Sequence, residues 1–381
     1  MRKFNLLVLF LVFISHNANA QEISSSTVCP GVKHYTYYFD DQPWAINLLE
    51  VDLTNANVAI ETIKARDLVS GYETARQMSA RRSFNKHWIA GVVNGDFYQK
   101  GGTPINTQVI DGKILKSPNN RSLFGIYTDK TPFIAVPSYS GRIVLTKGNT
   151  YAIQGINQNR DSNQLVLYNS FFGDSTGTNR YGAEISFRLL DAWAVNEPFR
   201  VIVAKIDSVK GNGEIKVNGG LLSGHGWARV WLLMEISLGD TLKLLLKLTK
   251  SDKKIKEAIG GLPRIIRDGL TSIEKGGEFA DVRHPRTGIG FSKDGTKLYL
   301  FTVDGRQENY SKGMTLYEMA DFMRSIGVYQ GINLDGGGST TMVVANKIVN
   351  RPSDATGERP VANALLVISK EPLIIKDNQN R

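Results

Sequence analysis

Residues 313–341, GMTLYEMADFMRSIGVYQGINLDGGGSTT, decide the fold. Thr315 and Glu318 stand at capping-box spacing, so a helix starts at Leu316. Leu316, Met319, Met323 and Ile326 then form one apolar stripe, and Gly327 ends the helix. Tyr329–Leu334 follows as a strand that delivers Asp335 and three consecutive glycines. No turn needs three glycines in a row, and each costs conformational entropy on folding. Their expected use is close approach to a ligand, with the amides of Gly336, Gly337 and Gly338 forming a concave anion site. Ser339, Thr340 and Thr341 add hydroxyl donors, so the active centre is expected on Asn333–Thr341. A dinucleotide site or P-loop is excluded, because neither a helix nor a Lys follows the glycines as those motifs require.

Immediately upstream, RTGIGFSKDGTKLYLFTVDGR (286–306) reads as a hairpin turning at Asp294-Gly295. That turn pairs Arg286 with Val303, next to Asp304. The chain therefore has three apolar strands that end in a carboxylate beside glycine: VVNGDFY with Asp96, LFTVDGR with Asp304 and GINLDGGG with Asp335. Two of them also carry Asn at close spacing, Asn94 and Asn333. One Asp-Gly after a strand is usually only a turn. Convergent carboxylates serve acid/base and nucleophilic roles in glycoside cleavage, or hold a hard divalent cation such as Ca²⁺ or Mg²⁺. Arg286 and Arg306 lie at the same end of the hairpin. Guanidinium groups grip phosphate or carboxylate in a bidentate fork, although surface pairing with acids is the plainer role for them. His34, His87, His225 and His284 are dispersed without zinc-ligand spacing, and SGHGWA around His225 reads as a tight loop. No Gly-x-Ser-x-Gly elbow is present.

Farther out, Trp44–Ile63 alternates as two strands, and a helix is expected from Glu73 to Asn85 with a capping box at Ser70 and Glu73. A strand from Trp88 to Val93 and a hairpin over Val109–Leu115, turning at Asp111-Gly112, come next. Residues 141–248 change texture, with Asn/Gly-rich loops between short strands, and read as an inserted β-rich lobe. Thr249–Glu257 is a charged connector. Residues 21–140 and 249–381 then make up the catalytic domain. The expected class is α+β: a β-rich mixed or antiparallel sheet core with a few packed helices and the inserted lobe.

Residues 1–20 have the form of an export signal: Arg2 and Lys3, the apolar run Leu6–Ile14, then Ala18-Asn19-Ala20. The run is too short to span a bilayer, so no transmembrane helix is expected in the mature chain, which would be periplasmic or extracellular. Cys29 is the only cysteine, which excludes an intramolecular disulfide and leaves stability to a hydrophobic core. The net charge of +10 favours anionic substrates or surfaces. Its scatter along the chain argues against nucleic acid as a partner.

NGDFY, GGLPRIIRDG, RTGIGFS, LFTVDGR, the 313–341 stretch and NRPSDATGERPVANALLV occur in an order that resembles the phosphodiester glycosidase family. The resemblance extends over nearly the whole mature chain. It implies hydrolysis of the bond between a sugar's anomeric carbon and a phosphodiester oxygen, with a sugar phosphodiester as substrate. The family's motif residues fall on Asn94, Asp96, Arg286, Asp304, Arg306, Asn333, Asp335 and Gly336–Ser339. Asp96, Asp304 and Asp335 would be catalytic, while the Asn, Arg and Gly positions with Ser339 and Thr340 would bind substrate. Tyr98 stands where Phe is common, Gly288 stands where Ala is common, and the long β-lobe resembles bacterial members. Two other readings remain open: a metal-dependent phosphodiesterase that breaks P–O, and a non-catalytic binder of envelope glycans with the lobe as its recognition module.

Overall fold

The computed structural model describes residues 21–39, 42–273 and 277–374, so the export-signal expectation for residues 1–20 lies outside the described residues. The architecture is α+β and strand-rich. Among the described residues every strand pair is antiparallel except Gly155–Ile156 with Leu165–Tyr168.

Two sheets stacked face to face form the part that carries the site. The first runs in the order Gln21–Cys29, Val32–Phe39, Trp44–Asp52, Lys297–Val303, Arg286–Phe291, Gln330–Asn333, Arg264–Arg267, Leu270–Thr271. The second runs Lys347–Ile348, Met342–Val344, Trp88–Asn94, Asn363–Ser369, Val58–Lys64. Side chains alternate between faces along a strand, so each central strand feeds two cores. Leu49, Leu300, Val93 and Leu365 meet in the core between the sheets. On the outer face of the first sheet, Leu48 and Phe301 pack against Met319 and Met323. On the outer face of the second, Val92 and Leu366 pack against Met78. Helix α1 (Ala75–Arg82) supplies Met78. The result is helix, sheet, sheet, helix, and strands buried on both faces explain the near-continuous apolar runs.

Helix α1 starts later than its expected bounds. Its cap is Thr74, which accepts from the Gln77 amide, and Gln77 answers with its own side chain. Ser70 instead meets the Thr103 hydroxyl, and Glu73 is bridged to Val361 and paired with Arg81. A third sheet uses Pro132–Ala135, Leu123–Tyr127, Ile255–Gly260, Val109–Ile110 and Lys113–Ile114, and strand structure thus begins inside the expected 249–257 connector. Residues from Ser140 to Lys247 form a second eight-stranded sheet. In it SGHGWA is no loop. Gly219–His225 is a strand, and helix α2 (Trp227–Glu235) follows at Gly226, whose φ is 57°. The other α-helices among the described residues are α3 (Glu278–Asp281) and α4 (Leu316–Ser325). Helix α4 has the Thr315/Glu318 capping box, and Ile326 follows it as the C-terminal cap. No described helix is long and apolar enough to cross a membrane.

Candidate active site

The site lies where the two stacked sheets end together. The C-terminal ends of Gln330–Asn333 in one sheet and Trp88–Asn94 in the other lie side by side, and polar side chains tie them. Asn94 donates from Nδ2 to the Asp335 carbonyl (2.6 Å), while its Oδ1 accepts from the Thr287 hydroxyl (2.8 Å) and the Thr341 amide (3.1 Å). The Asp335 amide donates to the Gly95 carbonyl at 2.9 Å. Buried polar atoms at such a seam must find partners, and Asn94 spends its Oδ1 and one Nδ2 hydrogen on building the seam.

A cavity of about 220 Å³ opens there, lined by Phe97, Phe279, His284, Arg286, Arg306, Asn333, Asp335, Gly336 and Gly337. Six of these were expected from sequence. Asp335 is half-buried at the cavity wall, and desolvation pushes its carboxyl up to about 6, while bonds from Ser339 and the Gly336 amide and the charge of Arg359 pull the other way. Asp96 is buried and is pushed up to about 7, first by desolvation and further by the nearby Asp335 charge. Its Oδ2 accepts from the Asn106 amide at 2.8 Å, and its Oδ1 is buried without a partner. Asn333 anchors Nδ2 on the Leu262 carbonyl (2.7 Å) and likewise leaves Oδ1 buried and unpartnered.

The two arginines differ. Arg286 is buried, and three carbonyls hold it: Met314 at Nε (3.0 Å), Phe279 and Val282 at Nη2 (2.8 Å each). With Nε and Nη2 committed, only Nη1 is left for a ligand, so the expected two-toothed fork is not available. Desolvation and the Arg306 charge lower it to about 10, still a cation at neutral pH. A buried cation held only by carbonyls leaves a positive field in the cavity, which an anion would neutralise. Arg306 is exposed and sits at φ 61°, a conformation rare outside glycine that is tolerated where surrounding structure imposes it. Its Nη2 lies 3.4 Å from Nδ1 of His284. Facing a permanent donor, Nδ1 acts as acceptor, which puts the imidazole proton on Nε2. Burial and the charges of Arg286 and Arg306 lower the His284 pKa, so it stays neutral near pH 7.

The glycines are not an anion cradle of three amides. Gly336 donates to Asp335 Oδ1 (3.0 Å) and Gly337 donates to the Pro285 carbonyl (2.8 Å). They make room for protein groups. A Cβ at Gly336 would lie 2.7 Å from the Pro285 carbonyl oxygen, and one at Gly338 would lie 2.1 Å from both Arg359 and Asp354. Ser339 and Thr340 are buried behind the cavity wall, with Ser339 also 3.3 Å from the Tyr98 hydroxyl. Asp304 is a second correction. Its oxygens accept from Asn350 (2.9 Å), the Arg351 amide (2.8 Å) and Tyr310 (3.3 Å), which pins the 350–351 segment, and it does not line the cavity. Burial raises its carboxyl to about 6, but every oxygen is occupied. Sequence reasoning missed His284, Phe97 and Phe279. His284 stands two residues before Arg286, a proximity that was the available signal. Among the described residues no three His, Cys, Asp or Glu side chains gather so as to hold a metal ion.

Comparison with known proteins gives a consistent result. The phosphodiester glycosidase family model matches residues 193–368. The mouse N-acetylglucosamine-1-phosphodiester alpha-N-acetylglucosaminidase is 43% identical over 77 residues, 20% of this chain and 14% of that protein. A prophage-derived protein of Bacillus subtilis is 42% identical over 87 residues, 23% of this chain and 13% of that one. The aligned stretch therefore spans only a small part of these relatives. A solved structure of a Synechocystis protein shares the fold at a TM-score of 0.64 and 16% identity, covering 89% of this chain and 62% of its own. The family match spans the Arg286–Val303 hairpin, helix α4 and the Asp335 glycines, so the part of this chain that carries the candidate site is similar to the phosphodiester glycosidase family.

Proposed function

We propose that this chain hydrolyses the anomeric C–O bond of a sugar-1-phosphodiester outside the cytoplasm, releasing a free sugar and a phosphomonoester. The observation that carries this reading is the meeting, in one cavity, of Asp335 with three groups suited to an anion: Arg306, the buried Arg286 cation and neutral His284. The phosphodiester sits against Arg306 and the His284 Nε2–H. These groups stabilise the charge that gathers on the leaving phosphate oxygen as the C–O bond breaks. Water supplies the new bond to the anomeric carbon. Asp335 takes its proton, a role suited to a carboxylate whose pKa burial has moved toward neutrality. The unpartnered Asn333 oxygen accepts from a sugar hydroxyl, and Asp96, just behind the lining residue Phe97, acts through its charge on Asp335. The export-type segment at residues 1–20 supports action on an envelope or extracellular glycan.

Hydrolysis in ¹⁸O-water, with Asp335→Asn alongside, tests both halves. The label is expected in the sugar, and the variant should stay folded while losing about 100-fold or more in turnover. Label in the phosphate would show P–O cleavage, and near-wild-type turnover of the variant would remove Asp335 from the chemistry.

A further inference from the structure

A second cavity, of about 700 Å³, shares no lining residue with the first. It lies where the Val109–Ile114 hairpin and the end of α1 meet the sheet formed within Ser140–Lys247. Its volume is within the range of small-molecule sites and exceeds what a lone ion needs.

The wall carries three cations, Arg66, Arg82 and Lys113. Two carboxylates also face it, but both are engaged elsewhere: Asp67 pairs with Arg81 at 2.7 Å, and Asp111 pairs with Lys256. Among the described residues Arg66, Arg82 and Lys113 have no carboxylate at ion-pair distance. The Lys113 ammonium stands 5.1 Å from the centre of the Phe171 ring and 5.9 Å from that of Trp193, with the Ser170 hydroxyl at 3.2 Å. Two donors on this wall lack any acceptor. One is the indole N–H of Trp193, a residue only 6% exposed, and the other is the buried Nε of Arg82. A buried donor without an acceptor costs its full desolvation, so two on one wall beside three unpaired cations call for an acceptor-rich, negatively charged occupant. The same wall has an apolar part in Leu189, Ala192 and Val217, and Val217 is 74% exposed. An anion alone would leave that part uncovered, whereas a sugar ring presents an aliphatic C–H face along with its polar groups.

We infer that this cavity is a second binding site, for an anionic saccharide unit, with Lys113, Arg82 and the Trp193 N–H on the acid group and the apolar wall on the ring. This assignment does not depend on the hydrolysis proposed above.

Calorimetric titration with glucose 6-phosphate tests it on Arg306→Ala protein, where the Asp335 cavity is disabled. Saturable binding is expected to persist there and to weaken by about tenfold or more in Lys113→Met or Arg82→Gln combined with Arg306→Ala. Trp193→Phe, which removes the N–H together with part of the ring, should weaken it less, and a cooperative thermal transition in each variant shows that it is folded. Glucose and inorganic phosphate are the controls, each expected to bind at least tenfold more weakly. Absence of binding in Arg306→Ala, or binding indifferent to all three substitutions, would overturn the proposal. Inorganic phosphate binding as tightly as the sugar phosphate would reduce the cavity to an ion site and overturn it equally.

Discussion

Asp96 keeps one carboxylate oxygen on the Asn106 amide and the other buried without a donor, and this imbalance has a consequence for stability. Its pKa is about 7 in the folded chain against an ordinary value of 3.8. The folded state therefore binds the proton more tightly than the unfolded chain. The contribution of this group to stability is complete below about pH 4 and is lost as pH rises through about 7. Asp96→Asn keeps an acceptor for Asn106 and removes the titration. The variant's melting temperature relative to wild type should therefore be clearly higher at pH 8 than at pH 4.5, and an equal difference at both values would refute the assignment. The same attention to individual atoms separates the candidate carboxylates. Asp304 is fully buried with Asn350, Arg351 and Tyr310 on its oxygens, whereas the half-buried Asp335 faces the cavity.

At the scale of elements, the hairpin 286–303 and helix α4 act as one unit. Gly288 lies on the Arg286–Phe291 strand beneath the helix, and a Cβ there would stand 2.0 Å from Cε of Met319. The Met319 side chain occupies the space that the more usual alanine would take, which accounts for a departure that looked incidental in the sequence. Gly288→Ala should thus destabilise the chain alone, and less when Met319→Leu removes the terminal methyl. Denaturant unfolding of the two single variants and the double variant is expected to show a favourable coupling of about 1 kcal/mol. Additive effects would mean that Met319 simply swings aside.

At the scale of the whole molecule, the sheet within Ser140–Lys247 does not own its core. Leu167, Phe187, Leu222 and Leu244 share one apolar cluster with Val109, Ile114, Leu123, Tyr127, Ile255 and Ala258, all of which lie outside residues 141–248. Excising 141–248 would expose those six residues together, a patch of the kind that drives aggregation. The shortened chain is expected to be insoluble or to lose its cooperative thermal transition. A soluble, cooperatively melting product would show instead that the lobe is an independent attachment.

The amino-acid sequence by itself determined the strand-rich α+β class, the Arg286–Val303 register, the capped helix α4 and the neighbourhood of Asn333 and Asp335. These follow from periodicity, turn chemistry and capping, which act between residues a few positions apart. Only the tertiary structure decided how polar atoms are satisfied. The Pro285 carbonyl takes the Gly337 amide, Asn350 and Arg351 take Asp304, and three carbonyls take Arg286. It also brought the unexpected His284 beside Arg306. A buried donor or acceptor is satisfied by whatever the fold brings within about 3 Å, and in this chain those partners come from separate segments whose meeting no local pattern records.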